Sequence, residues 1–154
     1  MKQLIIAIFA ASLFFACSTQ HEEKLPIIFD TDLGNDIDDA IALAMLYRYA
    51  EEGKVDILAI GLSKEGEAPA VCLDIFNHWY CHQDTPIGII HNTVVCGNED
   101  RNYALALSEM RDLKGNYLYP RDLNIDHNAL PEAVNVYRKL LAQAKVQFSK
   151  NIGV

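Results

Sequence analysis

Five aspartates, Asp30, Asp32, Asp36, Asp38 and Asp39, fall within the ten residues after the apolar stretch Leu25–Phe29. Each ionised carboxylate raises the cost of ionising its neighbours. So dense a cluster is unfavourable unless something positive compensates it. The positive end of a following helix offsets about 0.3–1 kcal/mol per nearby anion, and Asp36 or Asp38 is placed to cap such a helix. That accounts for one or two carboxylates, hardly for five. A bound divalent cation accounts for the rest. With no His or Cys inside the cluster, hard oxygen-ligated ions such as Ca²⁺ or Mg²⁺ fit better than zinc. The plain alternative is a helix entrance crowded with solvated acids.

Two known cation motifs fit poorly. An EF-hand loop needs Gly at its sixth position and Glu at its twelfth. Counted from Asp30, Gly34 is fifth and Ile41 is twelfth. Phosphatases of the haloacid-dehalogenase type place Asp-x-Asp at the end of a first strand, as Asp30-Thr31-Asp32 does. They usually continue Gly-Thr, whereas this chain continues Leu33-Gly34-Asn35-Asp36.

The elements around the cluster follow from hydrophobic pattern. Leu25–Phe29 is short and apolar throughout, as a strand buried on both faces would be. Ile37, Ile41, Ala44, Met45 and Tyr49 recur at helical spacing, and Gly53 closes the segment. Val55–Leu62 is a second strand. Ala68, Val71, Cys72, Ile75, Phe76, Trp79 and Tyr80 form one apolar helix face, which places Trp79 in the core. Thr85-Pro86 breaks that helix, and Ile87–Ile90 is a third strand. Tyr103–Leu113 is helical in pattern. Pro131 suits the first turn of a final helix carrying Val134, Tyr137, Leu140, Leu141 and Ala144. A fourth strand is expected after it. Between these lie two loops, "HNTVVCGNEDRNY" and "KGNYLYPRDLNIDHN".

Alternating strands and helices predict an α/β fold, a Rossmann-like parallel sheet with crossover helices. Ligands in such sheets bind beyond the carboxyl ends of the strands. The aspartates stand at the carboxyl end of the first one.

Composition agrees with a globular domain, since 51% of the 154 residues are hydrophobic and only 22% charged. The net charge of −8, with no basic stripe, argues against a nucleic-acid partner. Lys2 followed by the apolar run Leu4–Ala16 is shorter than the about 20 residues of a membrane span and fits a signal peptide over residues 1–16. Phe14-Phe15-Ala16-Cys17 looks like a bacterial lipoprotein cleavage box, with Phe14 where Leu is commoner. Cys17 would then carry lipid, residues 17–24 would be a polar tether, and residues 25–154 the domain. Its expected place is the cell envelope, in the periplasm or at the outer membrane, on a membrane reached only through the anchor. Cys72, Cys81 and Cys96 do not make a disulfide framework; an oxidising periplasm would allow one bridge, and free thiols are the simpler reading.

"IIFDTDLGNDIDDAIAL" resembles the signature of nucleoside hydrolases of the inosine–uridine-preferring type, in which a first strand enters an Asp-x-Asp-x-Gly-x-Asp-Asp-Ala turn. "PEAVNVYRKLLA" is similar to a later helix in one branch of that family, so the resemblance spans roughly Pro26–Ala144. It implies a calcium-holding turn in a Rossmann-like domain that hydrolyses the N-glycosidic bond of nucleosides. Asp32 would be both calcium ligand and general base, Asp39 a second ligand, and Asp38 the acceptor of the ribose hydroxyls. Asp30 would support the turn. The turn is two residues longer than the common form, which makes Asp36 an extra residue or, in another register, a ligand. "LSKEGEAP" lacks the Asn that the family places after the second strand. The remaining calcium ligands and the His that protonates the leaving base would lie beyond Val154. The resemblance thus implies an incomplete fold, the N-terminal half of the family's, with impaired activity. The tail "AKVQFSKNIGV" departs from the family pattern, as a frameshift would make it. Alternatives are a non-catalytic calcium- or sugar-binding lipoprotein, or a phosphatase-like hydrolase using Asp30 as nucleophile and Mg²⁺.

Other residues are weaker. Asp74, His78 and His82 are spaced four apart on the polar helix face, where a solvated surface is the simpler reading than a metal site. His91 follows the third strand near a ligand's place, and His127 lies in a polar loop. Glu65 and Glu67 suit a helix start or the edge of a pocket. A sheet edge left unpaired would favour association into a homo-oligomer.

Overall fold

The computed structural model describes residues 23–92, 102–122 and 126–151, with side chains to residue 144. The predicted signal peptide, Cys17 and Cys96 lie outside the described residues. In chain order the elements are β1 (Leu25–Thr31), α1 (Ile37–Glu51), β2 (Val55–Leu62), α2 (Glu67–Trp79), β3 (Ile87–Ile89), α3 (Tyr103–Glu109) and α4 (Ala133–Asn151). The sheet is parallel, in the order β1-β2-β3. The fold is therefore α/β and Rossmann-like in its strand–helix alternation.

The buried strand is β2, not β1. Most of β2 is inaccessible, because strands flank it on both sides. β1 is an edge strand, exposed at Leu25 and only half-buried from Ile27 to Phe29. It also runs further than its apolar stretch, to Thr31, so Asp30 lies within the ladder. The β1–β2 register shifts between Ile27 and Ile28, where Leu58 is the extra residue. Beyond the shift, Asp30, Gly61 and Gly88 form one row across the three strands.

On one face of the sheet, Leu43, Leu46 and Tyr47 of α1 and Cys72 and Leu73 of α2 pack with Ile57, Ile60, Leu62 and Ile89. Tyr47 donates from its hydroxyl to Asn77 Oδ1 at 2.5 Å inside this core. The apolar stripe read from the sequence of α1 turns out to face water: Ile37 is 61% exposed, Ile41 52% and Met45 53%. The helix is apolar on two sides, so spacing alone did not say which one packs. The side with Ala40, Leu43 and Tyr47 does. In α2, Pro69 to Ile75 are all buried, Asp74 included, and Trp79 is exposed at the helix end, edge-on to Tyr119. The expectations of a core Trp79 and a solvated Asp74 are both overturned. The 116–122 segment covers this flank of α2 and brings the backbone N–H of Asp122 to Asp74 Oδ2 at 2.6 Å.

Strand alternation puts Gly61 and Gly88 on the other face, and α4 packs there. A Cβ on Gly88 would lie 2.7 Å from Ala133 Cα, and one on Gly61 1.5 Å from the Tyr137 hydroxyl oxygen. Glycine inside a strand here permits close approach of a helix. The outer edge of β3 is closed by the Ile89–Glu132 bridge, with Ile89 N–H donating to Pro131 O. No strand follows α4 among the described residues. The α4 backbone stays helical through Asn151, beyond the apolar period that ends near Ala144.

Candidate functional site

The aspartates occupy the turn from β1 into α1. Thr31 is buried at the strand end, and its hydroxyl oxygen accepts from Leu33 N–H at 3.1 Å. Leu33 is fully buried and pins the turn to the core. Gly34 adopts φ +147°, which favours glycine. Its N–H donates to the Tyr103 hydroxyl at 3.0 Å, and its carbonyl accepts from Ala104 N–H at 3.2 Å. The start of α3 is thus bonded to both sides of one residue in the turn.

The structure brings Asp32 and Asp39 together. Asp39 is half-buried in the first turn of α1 and hydrogen bonds to Asp32 and to Thr31. Burial, the hydrogen bond with Asp32 and the Asp32 charge together push its carboxyl up to about 6, with Asp38 adding to the effect. Asp38 is exposed one residue earlier. Its charge and that of Asp39 also reach Tyr103, whose hydroxyl is pushed up to about 12, chiefly by burial. Asp36 stands at the N-cap position of α1 but makes no side-chain cap bond, and it has no part in the Asp32–Asp39 contact. Asp30 stands apart from that pair. Its Oδ2 accepts from the Tyr137 hydroxyl at 2.5 Å, on the α4 side of the sheet.

A cation of the chain itself also reaches the turn. Lys64, from the loop after β2, donates through Nζ to Asn35 Oδ1 at 2.7 Å. Lys64, Tyr103 and Tyr137 are the contributors that sequence reasoning missed. They lie 29, 69 and 107 residues from their partners. The only local hints were the glycines that interrupt β2 and β3.

The donor chemistry at Asp32 and Asp39 suits a hard cation. Burial and the adjacent Asp32 carboxylate hold the Asp39 carboxyl up, and a metal ion would relieve that repulsion. Asp32 and Asp39 supply two side-chain ligands. Among the described residues no three His, Cys, Asp or Glu side chains gather closely enough to hold an ion. Backbone carbonyls and water would have to complete the shell.

The other predicted positions do not converge. His78 Nδ1 lies 3.3 Å from Asp74 Oδ1, while the His82 ring rests against Tyr47 at 5.0 Å between centroids. Burial raises the Asp74 carboxyl and holds the Cys72 thiol up at about 12, so the thiol is inert. A ring nitrogen of His91 hydrogen bonds Leu130 O at 2.9 Å and secures the approach to α4. Glu67 lines a cleft of about 400 Å³ between α2 and α3, together with Ser108, Arg111, Tyr117 and Arg121. None of the five aspartates lines it. No helix among the described residues is long and apolar enough to cross a membrane.

Comparison with models of protein families, with curated proteins and with solved structures finds no match.

Proposed function

We propose that the turn from β1 to α1 is a cation- and sugar-binding site, and that its chemistry is N-glycosidic hydrolysis of nucleosides. The supporting observation is the Asp32–Asp39 contact at the carboxyl end of β1, where an open α/β sheet presents its ligands. Calcium, when bound, would supply the charge that acidifies a water. Asp32 would be the general base that takes a proton from the attacking water. Asp39 would share the cation with Asp32, and the exposed Asp38 would accept hydrogen bonds from the ribose hydroxyls. Their anionic field favours the oxocarbenium-like state through which the base departs. The domain would act from the cell envelope, anchored through lipid on Cys17.

Calcium titration by calorimetry, paired with chromatographic detection of free base from inosine and uridine, tests this reading. The expected result is calcium binding and base release in the unsubstituted protein, with Asp32→Asn lowering release by at least about a hundredfold. Base release that is unchanged in Asp32→Asn would sink it.

A second reading has its own support. Lys64 and Asn35 add polar groups to the turn that suit the hydroxyls of a sugar, and the carboxylates can hold a ligand without turning it over. A non-catalytic calcium- or sugar-binding lipoprotein needs no more than this. It predicts calcium affinity without base release.

A further inference from the structure

Tyr137 crosses the sheet to reach the site strand. It starts on α4, passes over β2 at Gly61 and ends on Asp30 of β1, its hydroxyl 2.5 Å from Oδ2. Only glycine at position 61 leaves the path open, since any Cβ there would lie 1.5 Å from that hydroxyl oxygen. Gly88 does the same for Ala133 one strand further along the row, so the α4 start lies flat on the sheet. Asp30 is exposed in other respects, and a surface carboxylate with one charge-assisted bond is fixed by that bond.

We propose that Tyr137 is the positioning residue of the aspartate turn. Its hydroxyl clasps Asp30 and so couples the seating of α4 to the geometry of Asp32 and Asp39. The proposal rests on the turn being the functional site. Asp30 and Asp32 are two residues apart in extended backbone, roughly 7 Å along the chain. There is little slack between them: a shift of the Asp30 side chain and backbone is passed to Asp32. Coupling of this kind is reciprocal. A cation drawing Asp32 and Asp39 into one arrangement would also steady α4.

The test is hydrogen exchange, read by mass spectrometry on the full chain, with and without calcium. The variants are Tyr137→Phe, Asp30→Asn and the two combined. Tyr137→Phe keeps the ring and its packing. In calcium-free protein it is expected to speed exchange across residues 30–36 by about tenfold, the worth of one hydrogen bond to a charged group. The double variant should be no faster than either single one. Calcium should slow exchange around residue 137 in the unsubstituted protein and not in Tyr137→Phe, a difference that a merely structural tyrosine would not produce. Gly61→Ala, which blocks the path, should match Tyr137→Phe. Unchanged exchange at 30–36 in Tyr137→Phe, or effects that add in the double variant, would overturn the clasp. If the unsubstituted protein binds no calcium, the functional reading falls, and the calcium-free exchange alone decides the clasp.

Discussion

Asp39 and Asp32 hydrogen bond to each other across the entrance of α1, and burial, with this contact adding to it, pushes the Asp39 carboxyl up to about 6. In an unfolded chain the same carboxyl gives up its proton near about 3.9. The folded state therefore binds this proton more tightly. Its contribution to stability is present below about pH 4, declines as pH rises, and is lost above about pH 6. Urea denaturation of calcium-free protein should show this decline between about pH 4 and about pH 7. Asp39→Asn, which keeps a hydrogen-bonding amide in place, should flatten it. Saturating calcium should flatten it too, because the ion replaces the proton. A slope that persists in Asp39→Asn would assign it to another group.

Lys64 brings a positive charge to the turn proposed to hold a cation. Its ammonium is held over the turn by Asn35, and a fixed positive charge opposes entry of a second one. Lys64→Met should raise calcium affinity by roughly 3- to 10-fold, as expected for one charge removed at short range in a partly screened site. Calorimetry with calcium measures it directly. Affinity that is unchanged or lower in Lys64→Met would show that Lys64 helps to build the site instead of opposing a cation.

The architecture around these residues was legible where pattern and environment agree. Val55–Leu62, apolar but for the exposed Asp56, is the central strand, with the bounds expected from its sequence. The alternation of strands and helices placed the aspartates at the carboxyl end of β1, where they stand. The facing of α1 was not legible. Ile37, Ile41 and Met45 keep helical spacing as well as Ala40, Leu43 and Tyr47 do, and only the sheet decides between them. The site's outer contributors were hidden for another reason. Tyr103 reads as a helix start and Tyr137 as an ordinary apolar-face residue until folding brings them to Gly34 and Asp30. Gly61 and Gly88 carried a usable signal, since glycine inside an apolar strand marks a close approach. Their pairing in register became visible only with the sheet.

Gly88 offers a direct check on that approach. A methyl group there would meet the α4 backbone at Ala133 Cα, 2.7 Å away, and not the end of a flexible side chain. Helix α4 must move outward. Gly88→Ala should destabilise the protein by about 1–3 kcal/mol, in the range of overpacked interiors. Urea denaturation followed by circular dichroism gives the value, and a neutral result would mean that α4 does not sit this close.

Tyr47 and Asn77 form the polar contact buried in the main core, with the tyrosine hydroxyl donating to Asn77 Oδ1. Tyr47→Phe keeps the ring, which stacks on Tyr80 at 4.8 Å, but leaves the amide oxygen of a nearly inaccessible Asn77 without its donor. A buried acceptor stripped of its partner costs about 1–3 kcal/mol. Denaturation should show a loss of that size in Tyr47→Phe. Replacing Asn77 by Leu as well should recover part of it, because an apolar pair leaves nothing unsatisfied. No recovery would mean that Asn77 has further bonds to lose.

The two faces of α1 give the sharpest contrast. Leu43 is fully buried against the sheet, and Leu43→Ala should cost about 2–5 kcal/mol through lost burial and the cavity left behind. Ile41, two residues earlier, is 52% exposed on the opposite side. Ile41→Lys should change stability by no more than about 0.5 kcal/mol, as surface substitutions do. Equilibrium denaturation of both variants measures the difference. If Ile41→Lys proved as costly as Leu43→Ala, α1 would be packed by the face that its hydrophobic spacing first suggested, and Ile37, Met45 and Tyr49 would be buried with it.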